Sequence, residues 1–145
     1  MPSRHEEFWS SARYAVIGHS AEMPFPTLTY RALRRRAGTT VYPVDPSRDA
    51  VEGDRTWPDL TSLPGAVEAA VLEVPPEETR AWVERIADAG ITRVWIHMGC
   101  ETGAALALAA ERGLEVCHGT CAVQYLQGGF PHNLHRFLRT LVGRW

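Results

Sequence analysis

The sequence contains no lysine: all 15 basic residues are arginine. That excludes Schiff-base chemistry on a lysine and the lysine of a P-loop. Any phosphate held by this chain must be held by arginine, backbone N–H groups or hydroxyls. Cysteine is scarce as well. The three present, Cys100, Cys117 and Cys121, are odd in number and argue against a disulfide scaffold. No apolar run approaches the roughly 18–20 residues that span a bilayer, and no apolar signal core follows the N-terminal stretch MPSRHEEFWSSAR. Excess charge is missing too: 17 acidic and 15 basic residues leave a formal net charge of −2. No general attraction to nucleic acid or to an anionic membrane is therefore expected. These absences predict a cytoplasmic protein with neither as a partner. There is also no nucleophile elbow, no kinase signature and no pair of carboxylates at an obvious catalytic spacing.

What is present fits one ordinary domain over residues 1–145, with 45% apolar and 22% charged residues. Five short apolar runs read as buried strands: Tyr14–Gly18, Thr40–Val44, Ala69–Val74, Arg93–His97 and Glu115–His118. They alternate little, as suits parallel strands covered on both faces. Helical patterns lie between most of them. Thr27–Ala37 follows Pro24 and Pro26 and stops at Gly38; Pro76–Ala89 opens with Pro, Glu77 and Glu78 and stops at Gly90. Glu101–Arg112 is rich in Ala and Leu almost all round, which predicts a well-covered helix. A short helix over Glu6–Ala12 and a C-terminal one at about 131–143 complete the set, around a core of about 14–125. Asp45–Leu63 is irregular, broken by Pro46, Gly53 and Pro58, with Arg55–Trp57 its one extended piece.

Strand–helix alternation predicts the α/β class: a Rossmann-like three-layer sandwich with a parallel five-stranded sheet, order 3-2-1-4-5, and helices on both faces. Ligands of such sheets bind beyond the carboxyl ends of the strands, at the switch point. Gly18, Val74 and His97 stand there. The C-terminal helix, with Phe137, Leu141 and Trp145, would pack on its own sheet or on a second subunit, which leaves a homodimer open.

The loop after the first strand runs Gly18-His19-Ser20-Ala21-Glu22-Met23-Pro24-Phe25-Pro26-Thr27. A dinucleotide site normally has G-x-G-x-x-G here. This loop is too long and too poor in glycine for that. A looser phosphate cradle remains: Gly18 allows a tight exit, Ser20 and Thr27 bring hydroxyls, and the next helix brings free N–H groups. Thr27 also suits a helix N-cap. The second strand ends Pro43-Val44-Asp45-Pro46. An acid at that strand end is the usual reader of an NAD ribose, so Asp45 and the loop pull in different directions.

Several motifs, in order, resemble the small standalone CoA-binding proteins, the YccU-like Rossmann family related to the nucleotide domain of succinyl-CoA synthetase. Val16-Ile17-Gly18-His19-Ser20 with Pro26-Thr27 is similar to that family's V-x-G-x-S and following Pro-Ser pair. Val41-Tyr42-Pro43-Val44-Asp45-Pro46 is similar to its V-x-P-V-N-P. Gly53, Trp57-Pro58-Asp59-Leu60, Leu63-Pro64, Val74-Pro75, Ile96-His97-Met98-Gly99 and Cys121 follow in the family's sequence of motifs, so the likeness runs from about Tyr14 to Tyr125. The resemblance implies a site for coenzyme A or an acyl-CoA. Its diphosphate would lie over Gly18, His19, Ser20 and Thr27. Adenine and ribose would lie between Pro43, Val44, Asp45, Pro46 and Val74-Pro75, and the pantetheine arm would pass toward His97 and Gly99.

Two residues depart from the family pattern. Asp45 replaces Asn, and a carboxylate 4 Å from the 3′-phosphate of CoA would cost on the order of several kcal/mol at an effective dielectric of about 20. Arg48 is placed to offset it or to grip the phosphate. His97 replaces Gln, which puts an imidazole in place to contact a diphosphate or thioester oxygen. The reading is a binding or regulatory module without chemistry of its own. The alternatives are an enzyme acting on an acyl-CoA or nucleotide through His97 or Cys121, and an NAD(P)-binding protein that reads the ribose with Asp45. His97, Cys100, Cys117, His118 and Cys121 gather at the ends of the last two strands. Cys117 and His118 point to opposite faces of a regular strand, so small buried cysteines are the plainer reading than a metal site.

Overall fold

The computed structural model describes residues 8–118. Cys121 and the C-terminal helix expected at about 131–143 lie outside them. The elements in chain order are β1 (Arg13–Gly18), α1 (Phe25–Arg34), β2 (Thr40–Val44), β3 (Ala50–Val51), β4 (Asp54–Arg55), β5 (Ala69–Glu73), α2 (Pro76–Asp88), β6 (Arg93–Ile96), α3 (Gly103–Glu111) and β7 (Glu115–His118). Of the N-terminal helix expected over Glu6–Ala12, the described part is helical only at Phe8 and turns at Trp9.

β2, β1, β5, β6 and β7 form one parallel sheet in that order. This is the expected doubly wound α/β pattern, with one difference in the neighbours. The order 3-2-1-4-5 sets the third long strand, Ala69–Glu73, outside β2; it lies instead against β1, pairing Tyr14 with Ala69 and Gly18 with Glu73. The outer side of β2 is occupied by the chain that follows it. Trp57 donates to the Pro43 carbonyl at 2.9 Å and accepts from Asp45 N–H at 2.9 Å. Pro43 has no N–H to give a ladder, and an edge strand is where it is tolerated.

The two sheet faces build two cores. Ala15, Ile17, Ala70, Leu72, Val94 and Ile96 meet Trp82, Val83 and Ile86 of α2 and Ala105 and Ala109 of α3. Tyr14, Val16, Val71, Trp95 and Cys117 face the other way, onto Leu33 of α1 and the ring pair Phe8–Trp9. Successive strand residues point to opposite faces, so uninterrupted apolar runs fill both layers.

α1 starts two residues before its expected Thr27. Pro24 is its N-cap and makes no side-chain capping bond, while Pro26 sits in the first turn, where its missing N–H costs nothing. Thr27 is therefore inside the helix and is not its cap. α3 buries only Ala105 and Ala109 fully, less than its composition suggests. The stretch read as irregular holds a two-stranded hairpin, β3–β4, whose turn residues Glu52 (φ 53°) and Gly53 (φ 82°) both have positive φ. That geometry matches the twist of a tight hairpin. The hairpin receives the arginine-rich end of α1: Arg31 pairs with Glu52 at 2.7 Å and Arg34 with Asp54 at 3.2 Å. No helix among the described residues is long and apolar enough to cross a membrane.

Candidate functional site

The carboxyl ends of β1, β5 and β6 bring Gly18, Glu73 and His97 into one row. Gly18 is in register with Glu73, and His97 N–H bonds the Leu72 carbonyl at 2.9 Å, just beyond the β5–β6 ladder. By strand alternation the row faces α1. Gly18 has to be glycine: an added Cβ would meet the Pro26 ring and stand 2.6 Å from the Glu73 carbonyl oxygen. The absent side chain lets the first turn of α1 close onto the sheet.

The loop after β1 is tied down at both flanks. His19 Nε2 and Glu78 Oε1 are 2.7 Å apart, joining the loop to the first turn of α2. On the other flank, Asp45 is buried and its carboxylate gathers four donors. Ser20 N–H (3.0 Å) and the Ser20 hydroxyl reach Oδ2. Ser47 N–H (2.9 Å) and the Ser47 hydroxyl (2.6 Å) reach Oδ1. Ala21 N–H then bonds the Ser47 oxygen at 3.1 Å. Burial pushes the Asp45 carboxyl up, but the hydrogen bonds from Ser20 and Ser47 outweigh it and hold it below the ordinary value. The Ser20 hydroxyl is thus aimed at Asp45.

Beside Asp45 a cavity of about 360 Å³ is lined by Asp45, Pro46, Arg48, Asp49, Arg55 and Thr56, with Pro58. Arg48 is exposed there, and the Arg55 guanidinium lies 4.2 Å from the centre of the Trp57 ring. Two guanidiniums face two carboxylates, a lining with cations to offer a phosphate. Across the row, Val74 is fully buried and Pro75 is the N-cap of α2. Gly99 has φ 87°, and its N–H bonds Glu101 Oε1 at 3.2 Å.

Glu73, Thr29 and Phe25 belong to the same place, and the sequence reading passed over all three. Glu73 is completely buried; its Oε2 accepts from the Thr29 hydroxyl at 2.9 Å and lies 3.2 Å from His97 Nδ1. Phe25 lies against the His97 ring, tilted by 34° with centroids 4.4 Å apart. The available signal was Glu73 itself, the one charged residue in the run Ala69–Val74. Cys100 and Cys117 are both buried, in different faces of the sheet. Among the described residues, no three His, Cys, Asp or Glu side chains stand where they could hold a metal ion.

A family model described as a CoA binding domain matches residues 12–126. Comparison with curated proteins gives no match. Among solved structures, a hypothetical protein from Pyrococcus horikoshii OT3 is 26% identical with a TM-score of 0.73, over 83% of this chain and 84% of that one. A conserved hypothetical protein from Pyrococcus furiosus is 25% identical with a TM-score of 0.68, over 77% of this chain and 97% of that one. The dinucleotide-forming acetyl-coenzyme A synthetase 1 of Ca. Korarchaeum cryptofilum, in its apo form, shares the fold. It is 21% identical with a TM-score of 0.61, over 75% of this chain but 26% of that one.

Proposed function

This chain belongs to the CoA-binding domain family, and from that premise we propose that it binds coenzyme A or an acyl-CoA across the carboxyl ends of β2, β1, β5 and β6, as a binding or regulatory module. The supporting observation is the close seating of α1 on Gly18, which brings the N–H groups of the first helical turn to the end of the sheet. In this reading the diphosphate lies over Gly18, His19, Ser20 and the start of α1, including Thr27. Adenine and ribose lie between Pro43–Pro46 and Val74–Pro75, with the 3′-phosphate toward Arg48. The pantetheine arm runs toward His97 and Gly99.

An NAD reading would have Asp45 accept from a ribose diol. Both Asp45 oxygens already carry two donors each, which favours the CoA reading. Four donors on that carboxylate also reduce the repulsion it would exert on a nearby phosphate. An odd cysteine count fits a reducing, cytoplasmic setting.

Titration calorimetry with CoA, acetyl-CoA, dephospho-CoA and NADH tests the reading. CoA or acetyl-CoA should bind tightest, and NADH should not displace it. Tighter binding of NADH than of CoA would overturn it. A thioester turnover assay separates module from enzyme: consumption of an acyl-CoA by the wild type but not by His97→Ala would replace the module with an enzyme. Native mass spectrometry of the same samples reports whether the binding species is a monomer or a homodimer.

A further inference from the structure

A buried carboxylate is costly unless a cation or several donors compensate it. Glu73 is fully buried, and among the described residues one donor, the Thr29 hydroxyl, reaches it. Among the described residues, the one cation-forming side chain within ion-pair distance is His97, itself buried. Among the described residues, Glu73 Oε1 and His97 Nδ1 have no hydrogen-bond partner. The two side chains thus share an enclosed space under Phe25 and α1, in the same row as Gly18. A carboxylate and an imidazole so placed form a neutral unit when they share one proton. Losing it leaves one negative charge, and gaining a second leaves one positive charge.

We propose that Glu73 and His97 form a proton-binding site coupled to the ligand site, so that an anionic ligand arriving at the strand ends draws a proton onto the pair from solvent. The proposal rests on the phosphate-bearing ligand argued above. Its physics is direct: a polyanion beside a titratable unit favours that unit's more protonated state. The proton comes from water or buffer, no covalent bond changes, and the ligand binds more tightly as pH falls.

The neighbouring groups leave the pair as the responsive element. From α1 come Thr29 and Phe25, neither of which titrates here. In the β1–α1 loop, His19 is already matched with Glu78 of α2. At the end of β2, Asp45 is held by four donors. The β6–α3 turn brings Cys100 and Glu101. Burial, with Glu73 and Glu101 adding to it, pushes the Cys100 thiol up to about 12, so it keeps its proton. Glu101 Oε1 is engaged by Gly99 N–H, while its buried Oε2 has no partner among the described residues. Glu101→Gln should leave the uptake, and its loss there would overturn the assignment to the pair.

The test is calorimetry of the wild-type protein with CoA in phosphate and in Tris at one pH, repeated from pH 6 to pH 8. The expected result is a buffer-dependent heat equal to uptake of up to one proton. Affinity should weaken with rising pH by up to about tenfold per unit. His97→Gln and Glu73→Gln should abolish the uptake, and His118→Gln, at the exposed end of β7, should leave it. Equal heats in both buffers, or uptake that survives His97→Gln, overturns the proposal. Absence of any CoA binding overturns the ligand reading instead. In that case the His97 ring resonances decide the pair: pyrophosphate should raise their titration midpoint in the wild type, and an unmoved midpoint overturns the proposal.

Discussion

Ser20 and Asp45 stand 25 residues apart in sequence, yet the Ser20 N–H donates to the Asp45 carboxylate at 3.0 Å, and its hydroxyl reaches the same oxygen. The contact joins the loop after β1 to the end of β2, so the expected phosphate cradle and the expected ribose wall are one unit.

Replacing Asp45 should therefore weaken the fold before it alters selectivity. Asp45→Asn replaces one acceptor oxygen by an NH2 group that faces two of these donors, and a loss of about 1–3 kcal/mol is expected from urea denaturation. The pH dependence has a defined direction. Asp45 is held below its ordinary 3.8 in the folded chain. Its contribution is complete above that ordinary value and is lost as pH falls through the lowered one. Acid unfolding below about pH 4 should be shallower in Asp45→Asn than in the wild type.

Gly18→Ala should be costly for a packing reason. Its Cβ would crowd Pro26 and the Glu73 carbonyl, and overpacking of this kind costs about 1–3 kcal/mol. Because α1 must then lift from the sheet, CoA affinity should drop at least about tenfold. Gly38→Ala is the contrast: Gly38 has φ 75°, and among the described residues no neighbour lies within 4 Å of an added Cβ. It should cost backbone strain while leaving affinity unchanged. Equal affinity losses in the two variants would argue against the seating of α1 as the cause.

Arg48 should act on the 3′-phosphate alone. Arg48→Ala is expected to weaken CoA by about tenfold while leaving dephospho-CoA unchanged. Arg55→Ala serves as the second probe, since Arg55 lines the same cavity. A strong preference for CoA that persists in both variants would remove arginine from 3′-phosphate recognition.

Cys100 should resist alkylation in the native state. Burial, with the Glu73 and Glu101 carboxylates, pushes its thiol up to about 12, and the thiol, not the thiolate, is unreactive. Peptide mapping after iodoacetamide at pH 8 should find Cys100 unlabelled until denaturant is added. Labelling at the rate of an open thiol would contradict the burial.

The sheet was legible because its strands are buried on both faces and read as apolar runs. Their order was not, although Pro43 marks β2 as an edge strand: β2 and β5 both pair with β1, on opposite sides. Pro24 and Pro26 looked like breakers, whereas they open α1 early. The Glu52–Gly53 turn was hidden because glutamate rarely adopts positive φ. At the site, Gly18, Asp45 and His97 could be picked out by position. That Ser47 folds back onto Asp45, and that Glu73 turns from an apolar run toward His97, depends on contacts that no spacing encodes.

The backbone of Trp57 has a consequence for how copies of this chain can meet. By taking the Pro43 carbonyl and giving its own to Asp45 N–H, it uses up the pairing groups at the carboxyl end of β2. A free sheet edge invites another strand to add on. That end of β2 offers none, so continuous ribbons cannot grow through it.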